Sequence, residues 1–418
     1  MAVVSVWVAV VAAWLPRMFL SDSWLALVDG RYVAGHGLPH RDTLTAWTYG
    51  VRWIDQQWGA QVLLYEASRL GLSGPAAVAI VCIAAALALA AVAARRLGAS
   101  ARSTAVGAMI PVLGAPWLAQ VRTQTLVLPL FVLVFALLRS NRYALVALPV
   151  LAIWANLHGS VSLAAGLTAL YGVTIVRRRR RTGIALLAAP LTLLLSPYGL
   201  DLVGYYRAML LDPPLAHVVA EWQPMRVSVA TAPFFVSAFG FAVLCARHRR
   251  VMTGFEQLAT ILLLVAALVA VRNAVWFELA LAVVLPRLLD AERPPAPAGK
   301  GVRRLNAFLG VGAATVALAV VGGSLAHPSS WFDHAGTPAA AAAVSRAAGS
   351  HRVVLADDLH ADWLLWERPE LAGRVAYDVR FELLTRRQLA KIVALEHRGR
   401  GDRRRYARRS GEVSFDPR

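Results

Sequence analysis

Between Ser21 and Trp58 the chain reads SDSWLALVDGRYVAGHGLPHRDTLTAWTYGVRWIDQQW. The stretch holds Asp22, Asp29, Asp42 and Asp55, the histidines His36 and His40, and Trp24, Trp47, Trp53 and Trp58. It is too polar to lie in lipid, yet it directly follows the first apolar segment. A carboxylate at the outer end of a first helix, Asp22, can act as general base on an acceptor hydroxyl or help hold a divalent metal ion. The competing reading makes Asp22 a solvating or capping group at a helix end. Asp29, which precedes Gly30, reads as part of a solvated helix face. His36, His40 and Asp42 are close enough in sequence for a metal site, but Gly37 and Pro39 break i,i+4 geometry, so they read first as turn residues.

Further along, Arg122, Asn156, His158 and Arg272 fall at the ends of apolar stretches. Ionisable groups there are costly in lipid and by default face a bundle interior or polar cavity. A guanidinium grips phosphate oxygens in a bidentate way, so Arg122 and Arg272 are candidates for an anionic ligand; snorkelling to headgroups is the alternative. His158, followed by Gly159, is either a structural turn residue or a group on the same face as Asp22. Glu278 lies inside an apolar stretch and needs a partner, for which Arg122 or Arg272 would serve.

The elements that must position these groups are membrane helices. Hydrophobic residues make up 58% of the 418 and charged ones 16%, with mean hydropathy +0.55, which is integral-membrane composition. Eleven stretches approach the roughly 17–20 apolar residues a crossing needs: about 2–19, 74–94, 104–120, 124–138, 143–157, 161–176, 183–196, 229–246, 255–271, 274–289 and 305–325. Residues 1–15 lack a basic n-region and an A-x-A site, so they read as a first membrane helix running through Pro16 to about Phe19 and not as a signal peptide. Arginines gather after every second stretch, at Arg95/Arg96/Arg102, Arg139/Arg142, Arg177–Arg181, Arg247/Arg249/Arg250 and Arg287–Arg304. By the positive-inside rule those loops face the cytoplasm, as does the N-terminus. The loops 21–73 and 197–228 and everything after about 325 then face outward.

Within the first outer loop, 57–70 predicts an amphipathic interfacial helix with Trp58, Val62 and Leu63 on one face and Gln61 and Glu66 elsewhere. After 325, AGTPAAAAAVSRAAG predicts a helix, HRVVLADD a strand, ADWLLW a short helix or strand, and GRVAYDVRFELL a second strand. The fold expected is an all-α polytopic membrane domain, 1–325, with a small α/β extracytoplasmic segment, 326–396, and an arginine-rich tail, 397–418, without apolar periodicity. The net charge of +19 suggests nucleic acid only until the arginines are placed in short loops and an outward tail. The scarcity of lysine (Lys300 and Lys391 alone) reflects GC-rich bacterial coding. Cys82 and Cys245 lie in apolar stretches and make neither a disulfide framework nor a zinc site. No G-x-x-x-x-G-K-[ST], G-x-S-x-G or H-E-x-x-H occurs, which argues against an ATP-driven pump.

Asp22-x-Trp24-x5-Gly30, His36-Gly37-x-Pro39-x-x-Asp42 and Trp53-x4-Trp58 resemble the first outer loop of a bacterial membrane-protein family with a glycosyltransferase C-like fold. The resemblance continues through Val121-Arg122-x-Gln124, Trp154-x-Asn156-x-His158-Gly159, Ser196-Pro197-Tyr198-Gly199, Glu221-Trp222-Gln223-Pro224, Arg272 and Tyr377-Asp378-x-Arg380-x-Glu382. It implies a plasma-membrane transferase whose sugar donor is a polyprenyl phosphate, acting on the outer face. Asp22 matches the acidic residue that serves as base or metal ligand, and Asp42 a second acidic position. Arg122 and Arg272 match basic residues that hold the donor phosphate; in the transferase reading Asp42 and His158 shape the pocket around them. Leu25 stands where the family usually has histidine. Two other readings remain open: a transporter or lipid-handling protein, which inverted repeats would support, and a non-catalytic scaffold of the same fold.

Overall fold

The computed structural model describes residues 1–140, 142–211, 219–294, 299–397 and 413–414. Helix α1 (Ala2–Trp14) ends where Pro16, lacking an N–H, tightens the chain into a 3-10 turn over Leu15–Arg17. The axis then bends by 77° into α2 (Ser21–His36). The first helix therefore stops short of Phe19, and Asp22 belongs to the first turn of α2. There the helix dipole favours its negative charge. Capping falls to Ser23, whose hydroxyl accepts from the Leu20 N–H (3.0 Å) and donates to the Val121 carbonyl (2.6 Å).

Helix α3 (Trp58–Ser68) lies across α2. The contact is so close at Gly30 that a Cβ there would sit 2.2 Å from the Gln61 carbonyl oxygen. Two residues of α3 depart from the expected faces, Gln61 being buried and Leu63 exposed, while Glu66 is exposed and Trp58 and Val62 are half-buried. The reason is that α2 offers a buried carboxylate, Asp29, to which the Gln61 amide donates at 3.1 Å.

The bundle follows with α4 (Ser73–Arg96), α5 (Ala101–Gly114), α6 (Thr123–Arg139), α7 (Ala147–Trp154), α8 (Val161–Ile175), α9 (Arg180–Leu187), α10 (Asp201–Leu211), α11 (Ala232–His248), α12 (Gly254–Val269), α13 (Ala274–Glu292) and α14 (Lys300–Leu325). By length and apolarity alone, α4 and α14 are the two described helices able to cross a bilayer unaided, with the bent α1–α2 pair as a third if it counts as one span. Helix α13 is the central post. It is buried without interruption from Ala274 to Pro286, as a helix apolar on every side must be, and it packs on α5, α12, α4 and α11. Around it Phe131, Phe135, Trp154, Trp276, Phe234 and Phe277 form the bundle core. Glu278 on this post pairs with neither arginine; it accepts from the Ser237 hydroxyl at 2.7 Å.

A second core joins the outer loop to the chain after α14, burying Trp24, Leu27, Trp53, Phe332 and Trp363 together. Helix α15 (Pro338–Ala348) leads to β1 (Val354–Leu355), α16 (Asp358–Glu367) and α17 (Arg386–His397). Strand β1 pairs in parallel with β2 (Val413–Ser414), inside a tail expected to lack structure; the rest of that tail lies outside the described residues. The second strand expected over 373–384 does not form. Val375 makes single bridges to Thr45 and Val354, after which the Asp378 carboxylate accepts from the Arg380 N–H (2.9 Å) and turns the chain into a 3-10 turn at Phe381–Leu383.

Candidate active site at the outer end of the bundle

Asp22 in α2, Arg122 at the N-cap of α6 and Glu221 in the second outer loop meet at one point. The Arg122 guanidinium donates from Nη1 to Gln120 Oε1 (2.9 Å) and Glu221 Oε1 (2.6 Å), and from Nη2 to Glu221 Oε2 (3.0 Å) and to Asp22 Oδ2. The arginine side chain is 14% exposed, whereas Asp22 and Glu221 are 33% and 35% exposed. The cation is thus sunk between two carboxylates that reach the surface. Burial pulls the Arg122 pKa down, but Asp22 and Glu221 outweigh it and hold the group above its ordinary value.

Arg272, in the turn between α12 and α13, stands over the Trp222 ring with its guanidinium carbon 4.4 Å from the centroid. Stacking of this kind fixes the plane of the group and leaves its N–H edge free. Among the described residues no side chain or backbone acceptor takes those donors. Burial lowers its pKa, opposed by Glu221 and reinforced by Arg122, which places the two arginines in one electrostatic neighbourhood.

His158 belongs there too: burial drives its pKa well below the usual value, and Arg272 and Arg122 push it further down. The ring is therefore neutral at pH 7. Its Nδ1 accepts from the Ser160 N–H at 3.1 Å, which assigns the proton to Nε2. A donor and not a base is what this histidine offers.

Asp42 stands apart from the expected set. It is wholly buried and accepts from the Leu44 N–H (2.9 Å), Thr45 Oγ1 (2.8 Å), Thr48 Oγ1 (2.5 Å) and Arg380 Nη2 (2.9 Å). These four donors occupy its oxygens, and the one from Arg380 fastens the loop to the segment after α14. Asp29 is likewise buried, not solvated.

Several polar residues of the outer face gained no role from sequence reasoning. Glu221 and Trp222 are motif residues whose partners are 99 or fewer residues away in sequence and close in space only through the fold. Glu382 is another. Burial pushes its carboxyl up to about 7, with Asp22 among the nearby charges that add to the rise. Tyr205 of α10 lies near the Gln56 side chain, with Glu382 and Arg272 as charged neighbours. The only sequence signal for Glu382 was its place two residues after Arg380.

The donor set does not suit a divalent ion. Asp22 and Glu221 are bridged by a guanidinium, and among the described residues no three His, Cys, Asp or Glu side chains are arranged to hold a metal.

No family model matches the chain, and no curated protein matches it. Solved structures do. ArnT from Cupriavidus metallidurans in the apo state is 11% identical, over 90% of this chain and 88% of that one, with a TM-score of 0.51. The same protein bound to undecaprenyl phosphate is 11% identical over 93% and 87%, with a TM-score of 0.49. At this identity the likeness concerns architecture, and the architecture is shared along nearly the whole length of both chains: the protein has the glycosyltransferase C-like fold.

Proposed function

We propose that the protein is an inverting glycosyltransferase that moves a sugar from a polyprenyl phosphate to an acceptor on the outer face of the membrane. The observation that carries this reading is the meeting of Asp22, Arg122, Glu221 and Arg272 at the end of the bundle where α1 turns into α2. Two arginines balance two carboxylates there, so an arriving phosphate finds one guanidinium, Arg272, with its donors uncommitted. The protein shares its fold with ArnT.

In this mechanism Arg272 takes the donor phosphate and neutralises the charge that grows on it as the glycosidic C–O bond breaks. The phosphate also draws on Arg122, which loosens its grip on Asp22. The freed Asp22 carboxylate removes the proton of the acceptor hydroxyl as that oxygen attacks the anomeric carbon from the opposite face. Neutral His158 keeps its Nε2 proton and offers that N–H as a hydrogen-bond donor to the leaving phosphate, while the ionised Glu382 carboxylate takes from Asp22 the proton that came from the acceptor hydroxyl. The residues at Asp22 do not fit a divalent ion, and no step uses one.

The test is Asp22→Asn in membranes supplied with a labelled polyprenyl-phosphate sugar. Loss of about 10²-fold or more in transfer is expected for removal of a general base. Undiminished transfer would overturn the assignment.

A further inference from the structure

At the end of the bundle opposite Asp22 lies a cavity of about 410 Å³ between the start of α1, the end of α4 and the start of α5. Helix α4 has 24 residues, so its Arg95–Arg96 end stands about 36 Å from its outer end. The walls are aliphatic, with Val4 on α1, Val92 on α4 and Ala105 and Ala108 on α5. The rim is basic, formed by Arg95 and Arg96. Both are exposed. Arg95 spends one donor on the Ala99 carbonyl (2.5 Å) and has Asp290 among its charged neighbours. Arg96 has no acceptor among the described residues. Asp290 itself is turned away into α5, accepting from the Ser100 N–H, the Ser100 hydroxyl and the Ser103 hydroxyl.

An apolar slot between membrane helices under a pair of arginines matches one kind of ligand. Its volume falls in the range of small-molecule sites, about 300–1,000 Å³. Water gains nothing from aliphatic walls, and a soluble anion would use the rim and leave the slot empty. An acyl chain fills the slot while the phosphate to which it is attached reaches the guanidinium groups. Basic pockets between helices at the cytoplasmic side hold lipid phosphates in this way. The arginine pattern assigns this end to the cytoplasmic side.

We propose that the cavity between α1, α4 and α5 is a binding site for an anionic membrane phospholipid, whose chain lies along Val4, Val92, Ala105 and Ala108 and whose phosphate is held by Arg95 and Arg96. The site is distinct from the Asp22 cluster and independent of the transferase reading. Its occupant packs α1 against α4 and α5, and α1 is the helix that carries the turn into α2.

Binding of phosphatidylglycerol to the purified full-length chain in detergent, followed by native mass spectrometry, tests this. Phosphatidylcholine and inorganic phosphate serve as the other arms. Phosphatidylglycerol should bind more tightly than phosphatidylcholine. Arg96→Gln should weaken it about fivefold, and Arg95→Gln/Arg96→Gln about 25-fold, at roughly 1 kcal/mol per basic side chain near the surface. Ala105→Phe, which fills the slot and keeps both arginines, should also abolish the preference. Equal binding of the two lipids would overturn the proposal, as would unchanged phosphatidylglycerol affinity in a folded Ala105→Phe protein. Displacement of phosphatidylglycerol by millimolar inorganic phosphate would assign the rim to a soluble anion instead.

Discussion

The two guanidinium groups of the outer cluster differ in what already occupies their donors. Arg122 was expected to hold a phosphate, but its terminal nitrogens already serve Gln120, Glu221 and Asp22. Arg272 is the guanidinium left for a ligand. Arg272→Ala should therefore raise the KM for the lipid donor by about 10–100-fold, the worth of a charge-assisted bidentate contact, whereas Arg122→Ala should lower kcat as well because the leaving phosphate loses the second guanidinium on which it draws. Measuring both constants over a range of donor concentration separates the two. Glu382 titrates near 7. Transfer should rise between about pH 6 and 8 as this carboxyl ionises, and Glu382→Gln should flatten that rise while retaining part of the rate.

At the scale of elements, the first outer loop is held by what comes after α14. Arg380 donates to Asp42 and Asp378 (2.9 Å each) and stacks its guanidinium 4.3 Å from the Trp53 ring centre. Asp42→Asn leaves a buried guanidinium short of a charge, so it should destabilise the docked loop by about 3–5 kcal/mol without being a site mutation. Earlier melting in detergent and faster proteolysis within 37–57 would show it. Near this clamp lie buried carboxylates that, among the described residues, leave one oxygen of Asp29, one of Asp55 and both of Asp362 without a hydrogen-bond partner. Burial lifts Asp29 and Asp362 well above the usual carboxylate range, and Asp55 to about 7. A carboxyl raised in the folded state loses stability as pH climbs from its unfolded value of about 3.9 through its folded one. Asp42 runs the other way. Its burial is outweighed by Arg380 and the threonine hydroxyls, so it stabilises above about pH 4 and loses that on acidification. Melting temperature against pH should therefore peak near about pH 4, where Asp42 is ionised and the raised carboxyls still hold their protons, and decline as pH climbs from there towards about 7. Gly30→Ala should separate α2 from α3, since its Cβ would meet the Gln61 carbonyl.

Over the whole molecule, composition and arginine spacing carried the reading to a multi-helix membrane protein, and the ordered motifs to its fold. The motifs were less good at telling chemistry from scaffolding. Asp42 looked like a second site acid because a lone Asp after Gly and Pro carries no mark of the Thr45, Thr48 and Arg380 that surround it. Tyr198 proves to hold the Pro39 carbonyl (2.8 Å), and Asn156 the Trp58 indole (3.2 Å), so two further motifs secure the loop. The bend after Trp14 was written in Pro16, but its size depends on the packing of α2 against α3 and α16. The burial of Gln61 in α3 was illegible because a buried glutamine is favourable only once its carboxylate partner is known.

The central claim, that the Asp22 cluster performs glycosyl transfer from a polyprenyl phosphate, is tested most directly by single-turnover transfer in proteoliposomes preloaded with the labelled donor. Wild type and Asp22→Asn are compared, with donor binding measured on the same preparations. Donor bound equally by both proteins, with sugar released to an acceptor by the wild type alone, is the predicted result. Transfer at the same rate by both, or none by a wild type that binds the donor and is offered a range of outer-face acceptors, would contradict it.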